Sequence, residues 1–111
     1  TAFHPDWKMM EVPATPREVL IRSRQIAQKN GIRYAYTGNI HDFSGSSTYC
    51  HSCKQILIGR DWHQLSSWNL RFEGNYSGNC NNCGMQLPGI FEEKAGTWGR
   101  KRMPIKFSQK I

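Results

Sequence analysis

The sequence lacks long apolar runs. Its apolar stretches are a few residues long, as at Gln55-Ile56-Leu57-Ile58, where a membrane span needs about 20. No transmembrane helix is expected. The first residues, Thr1-Ala2-Phe3-His4-Pro5-Asp6-Trp7, carry neither a basic n-region nor an apolar h-region, which excludes a secretory signal there. With no initiator Met, the chain is expected to begin inside something longer, and a cytoplasmic setting is expected. Nucleophile elbow, phosphate loop, paired carboxylates and HExxH are all missing, so no complete active site is expected in the chain. Acidic residues are also few, 8 Asp and Glu against 15 Lys and Arg in 111 residues, a formal net charge of +7. Only 38% of residues are hydrophobic. A large autonomous core is not expected at this size, and another source of stability is required.

That source is legible in the only four cysteines. Cys50-His51-Ser52-Cys53 and Cys80-Asn81-Asn82-Cys83-Gly84 are two CxxC pairs separated by 26 residues. Two disulfides are the alternative reading, but cysteines three apart in a tight turn converge their sulfurs on one point, as a tetrahedral ion needs. The expected cofactor is one structural Zn2+ on Cys50, Cys53, Cys80 and Cys83, with iron or an iron–sulfur cluster on the same thiolates as the alternative. Four protein ligands leave no open position for water, so the metal is expected to be structural. His51 and His63 are read as surface or outer residues, since four thiolates complete the coordination. Trp62, Trp68, Phe72 and Tyr76 are expected to pack over a small ribbon core.

The pattern divides the chain into three parts. Residues 1–43 hold a helix signal: Thr15 as N-cap, Pro16 at the first helical position and Glu18 completing a capping box, then Val19, Leu20, Ser23, Ile26 and Ala27 at helical spacing and a stop at Asn30-Gly31. Ile32, Tyr34 and Tyr36 alternate with polar or small residues and read as a strand, and Thr1 to His4 as a strand end. The fold class expected is α+β, a partial βαβ unit that needs a larger barrel or sheet around it, followed by a small zinc-ribbon-like antiparallel domain over 44–91. Short strands are expected at Gln55 to Ile58, Trp62 to Leu70 and Asn75 to Ser77. Residues 92–111 form a basic tail with six basic against two acidic residues. Arg100, Lys101 and Arg102 would be its nucleic-acid contact in an alternative reading, but Met103, Pro104, Ile105 and Phe107 interrupt it, and docking on protein is expected instead.

With these residues assembled, the chain resembles the C-terminal part of the radical SAM enzymes of the AmmeMemoRadiSam system, relatives of the pyruvate formate-lyase activating enzymes. The series runs through Thr1-Ala2-Phe3-His4-Pro5-Asp6-Trp7-Lys8-Met9, Thr15-Pro16, Tyr34-Ala35-Tyr36-Thr37-Gly38-Asn39-Ile40, Ser47-Thr48-Tyr49-Cys50, Cys53, Leu57-Ile58, Gly78-Asn79-Cys80, Cys83-Gly84, Pro88-Gly89-Ile90-Phe91 and Gly96-Thr97-Trp98-Gly99-Arg100-Lys101-Arg102-Met103-Pro104. The resemblance implies that this larger surrounding is a (β/α) barrel, of which the chain is a part and which, in the full enzyme, binds S-adenosylmethionine and a [4Fe-4S] cluster through an N-terminal CxxxCxxC motif. No such motif occurs in this sequence, so the chain is expected to be inactive alone. It also implies that His4 faces the barrel mouth and that the partner of this chain is the remainder of the barrel or another protein, with no membrane and no firm nucleic-acid partner. Asp42-Phe43-Ser44 departs from the family, whose loop there is shorter and often Pro-Gly.

Overall fold

The computed structural model describes residues 1–96; the cluster Arg100, Lys101 and Arg102 lies outside the described residues. The architecture is α+β. One 13-residue helix, α1 (Arg17–Lys29), precedes a four-residue helix, α2 (Phe43–Ser46), and two small antiparallel sheets.

The end of α1 follows its chemistry. Gly31 takes φ +93°, and Gly31 N–H donates to Gln28 O while Ile32 N–H donates to Ala27 O. This is the paired bonding of a Schellman stop, which satisfies carbonyls that the helix leaves open. The start differs from expectation. Pro16, not Thr15, is the N-cap, and no side chain caps the helix. The Thr15 hydroxyl is committed elsewhere, accepting from Phe3 N–H at 2.8 Å, while Thr15 N–H donates to Phe3 O. The helix buries no residue, and Val19 and Ile26 are half exposed.

The segments flanking α1 are not strands, which corrects the βαβ expectation for residues 1–43. They run side by side on a single backbone bond, Ala2 N–H to Gly38 O at 3.0 Å, supplemented by Asn39 Nδ2 donating to Ala2 O. A parallel pair needs a run of slanted bonds and neighbours on both faces. Among the described residues no such run of bonds joins them. Downstream, Asp42-Phe43-Ser44 leads into α2. Thr37 holds this turn by donating from its N–H to Gly45 O and from its hydroxyl to Asp42 Oδ2.

The first sheet takes β1 (Thr48–Tyr49), β2 (Ile56–Asp61) and β3 (Gln64–Trp68), in that order; the second takes β4 (Leu70–Phe72), β5 (Gly78–Cys80) and β6 (Gln86–Leu87). All pairings are antiparallel. The stretch read as one strand from Trp62 to Leu70 is broken twice: a two-residue turn at Trp62-His63 closes the β2–β3 hairpin, with Asp61 opposite Gln64, and Asn69 separates β3 from β4. Asn75 to Ser77, expected as a strand, is a turn in which Gly74, Asn75 and Tyr76 all have positive φ.

Asn69 joins the sheets. Its N–H donates to Leu57 O at 2.7 Å, its side-chain amide to Ile56 O, and its carbonyl accepts from Asn81 N–H. The core between the sheets is Leu57, Leu87, Cys50 and Cys80, with Cys53, Leu70 and Phe91 packed against it. The four aromatics expected there are absent from this cluster. Tyr76 is 62% exposed, Phe72 lies at the surface, and Trp62 stacks on His41. Phe91 serves instead, lying across Gly78, where an added Cβ would come within 2.9 Å of its ring.

Leu57 is fully buried in this small cluster. Leu57→Ala is expected to destabilise the metal-loaded fold by about 2–5 kcal/mol, the usual cost of such truncations, read as a lower midpoint in urea unfolding. An unchanged midpoint would show that the sheets do not rest on this core.

Candidate metal centre

The two CxxC segments occupy equivalent places in the two sheets. Cys50 to Gln55 connects β1 to β2, and Cys80 to Met85 connects β5 to β6. In the first, Cys50 N–H donates to Gln55 O and Lys54 N–H to Cys50 O; in the second, Cys80 N–H donates to Met85 O and Gly84 N–H to Cys80 O. The repeated bonds make the same reversal twice, at Lys54 (φ +67°) and Gly84 (φ +80°). Glycine adopts that conformation freely, whereas lysine pays roughly 1–2 kcal/mol.

These reversals bring all four sulfurs within 4.8 Å of one another. Cys50 Sγ lies 3.5 Å from Cys83 Sγ, and Cys53 Sγ 3.6 Å from Cys80 Sγ. Zinc–sulfur bonds of about 2.3 Å in a tetrahedron place sulfurs roughly 3.8 Å apart, so the cluster fits one such ion. Amide donors face the sulfurs: Cys53 N–H to Cys50 Sγ, Asn82 and Cys83 N–H to Cys80 Sγ, and the Asn82 side-chain amide to Cys53 Sγ. Such donors orient thiolates and spread their charge. Cys50 and Cys80 are fully buried, Cys53 is partly so, and Cys83 is exposed.

Electrostatics separates the thiols. The Asn82 side-chain amide, with the Gln55 backbone second, lowers Cys53 to about 6. At Cys83 the Met85 backbone amide also favours the thiolate, but burial together with bonds to Cys50, Cys53 and Cys80 outweighs it and raises the group to about 11. With Cys53 favouring the anion and Cys83 resisting it, a second negative charge beside the first is opposed by like-charge repulsion. A divalent cation removes that conflict.

Among the described residues, none of the histidines singled out from the sequence joins the cluster. His51 accepts at Nδ1 from, or donates to, Tyr34 OH at 2.7 Å, His63 packs edge-on to Trp62 at 5.7 Å, and His4 is exposed. Burial raises the Tyr34 phenol, with the nearby Cys50 adding to the effect. Sequence reasoning passed over Asn82 as a donor to the sulfur of the other pair; an amide residue between two cysteines was the available signal. Lys54 carried none, since nothing in its side chain marks a left-handed turn.

No protein-family model matches the chain, and no solved structure matches it. An uncharacterized protein of Methanocaldococcus jannaschii is 38% identical over 85 residues, which is 77% of this chain and 25% of that protein. The chain thus spans about a quarter of the length of the curated relative it matches. No helix among the described residues is long and apolar enough to cross a membrane.

The pairing of Lys54 with Gly84 has a measurable consequence. An added Cβ at Gly84 meets only Arg71 Nη2, at 3.5 Å, so Gly84→Ala carries a backbone cost of about 1–2 kcal/mol and little else. Lys54→Gly releases a similar strain in the first turn. Thermal unfolding of the metal-loaded proteins is expected to place Gly84→Ala below the parent and Lys54→Gly at or above it. The reverse order would refute the equivalence of the two turns.

Proposed function

We propose that this chain is the metal-stapled terminal portion of a longer radical SAM enzyme, with a structural zinc held by Cys50, Cys53, Cys80 and Cys83 in a zinc-ribbon-like module. The observation that carries the zinc assignment is the meeting of four sulfurs within 4.8 Å, two from each sheet. Zinc suits an all-thiolate tetrahedron, and its binding in such closed sites is worth on the order of 10–16 kcal/mol near neutral pH. Saturated coordination makes the ion a staple: it fixes the two sheets to each other and takes no part in turnover.

Three further observations support a role as part of a larger enzyme. The ordered series of residues from Thr1-Ala2-Phe3-His4-Pro5 to Gly96-Thr97-Trp98-Gly99-Arg100-Lys101-Arg102-Met103-Pro104 resembles the C-terminal part of the AmmeMemoRadiSam enzymes. The curated relative is about four times as long as the matched segment. An α1 with no buried residue is consistent with a helix that packs on further chain. In this reading S-adenosylmethionine and the [4Fe-4S] cluster belong to the remainder of the barrel, because no CxxxCxxC occurs here. His4 then stands at the barrel mouth, and the partner of this chain is that barrel.

Elemental analysis of the purified chain is expected to give one zinc per molecule. Acidification should release it, because protons compete for the four thiolates. Iron in place of zinc, or a folded protein with neither metal, would contradict the assignment. The enzyme reading stands on a separate observation: the reading frame that encodes the chain should also encode CxxxCxxC upstream, and a frame without it would overturn that part alone.

A further inference from the structure

Between α1 and the first cysteine turn lies a cavity of about 340 Å³, at the lower end of small-molecule sites. Three cations line it, Arg24, Arg33 and Lys54, together with the rings of Tyr34, Tyr36 and Tyr49, and no Asp or Glu takes part. The way two of these cations are held is informative. Arg24 Nε donates to Ala35 O at 2.9 Å, and its guanidinium sits 5.8 Å from the Tyr49 ring centroid. Lys54 Nζ donates to His51 O at 3.0 Å. Both anchors are neutral carbonyls. The ion pairs among the described residues, Arg17–Asp42, His41–Asp61 and Arg71–Glu73, all lie elsewhere. The cavity therefore gathers three cations with no carboxylate partner among the described residues, two of them oriented in advance. The Cys50 sulfur, whose charge a bound metal would share, is the one thiol in its wall. Pre-oriented cations lower the cost of receiving an anion.

We propose that this cavity binds a small phosphorylated aromatic molecule of the nucleoside monophosphate class. Arg33 and Lys54 take the phosphate, Arg24 is held at the wall by Ala35 O, and the tyrosine rings that line the cavity contact the base. A volume of about 340 Å³ is the size of one such molecule. The site borders the first cysteine turn, with Cys50 in its wall, but it needs no open position on a metal.

Titration of the zinc-loaded chain by calorimetry with adenosine 5′-monophosphate, adenosine and inorganic phosphate tests this. The monophosphate is expected to bind at least about tenfold more tightly than either of the others, as loss of a charge-assisted contact or of a stacked ring requires, and to weaken as salt is raised. The double substitution Arg33→Gln with Lys54→Asn should weaken the monophosphate by about tenfold or more; asparagine tolerates the positive φ at position 54. As a readout independent of substitution, amide shifts on adding the monophosphate to the parent should centre on Arg33, Tyr34, Tyr49 and Lys54. Adenosine or free phosphate binding as tightly as the monophosphate, undiminished binding to the double variant, shifts centred elsewhere, or no binding at millimolar concentration would each overturn the proposal.

Discussion

Four thiolates meeting at one point is the constraint on which the C-terminal half of this molecule depends. Each sheet has three short strands and contributes a single reversal that ends in cysteines, and the buried apolar groups joining them are few: Leu57 and Leu87, with Leu70 and Phe91 partly covered. A core of that size does not offset the entropy of ordering some fifty residues. Thiols packed this closely also oppose one another as they ionise, as the split between Cys53 and Cys83 shows. A divalent ion held there would turn the conflict into four bonds. The same sulfurs then serve as core, cross-link and charge balance.

The N-terminal part is attached by polar bonds instead. Arg24 reaches Ala35 O, Arg17 reaches His41 O and Asp42, and Tyr34 meets His51 beside the first cysteine turn. Arg60, near the end of β2, donates to Ser46 O and Thr48 Oγ1 and so ties the first sheet to α2. These contacts orient α1 over the first cysteine turn without burying its apolar side. The cationic cavity is a consequence: a helix bridged by arginines to carbonyls, rather than packed by leucines, leaves a charged gap at the junction.

What was legible in the sequence follows from how local each signal is. The stop at Asn30-Gly31 is written in one residue that alone adopts positive φ at no cost. The cysteine cluster is written in two identical spacings. Both appear in the structure where expected. The start of α1 was less legible, because Thr15 has two possible partners and pairing with Phe3, twelve residues away, decided between them. Ile32 to Tyr36 alternates like a strand, yet a strand is defined by its neighbours, and the bond from Ala2 N–H falls beyond this stretch, on Gly38 O. The turn at Trp62-His63 was hidden for a different reason: Trp62 adopts φ +59°, a conformation that composition assigns to Gly or Asn, and its ring is held by stacking on His41 at 4.6 Å. Asn69 looked like one residue of a strand and is the hinge between two sheets.

Hydrogen exchange of the backbone amides, before and after removal of metal by a chelator, tests most directly whether the thiolate cluster holds both sheets. The amides of Gly59 in β2 and Cys80 in β5 should be protected in the metal-loaded protein and lose that protection together on chelation, while those in the interior of α1, bonded within their own helix, change less. Protection that persists in both sheets without metal, or that is lost in one sheet only, would contradict the account.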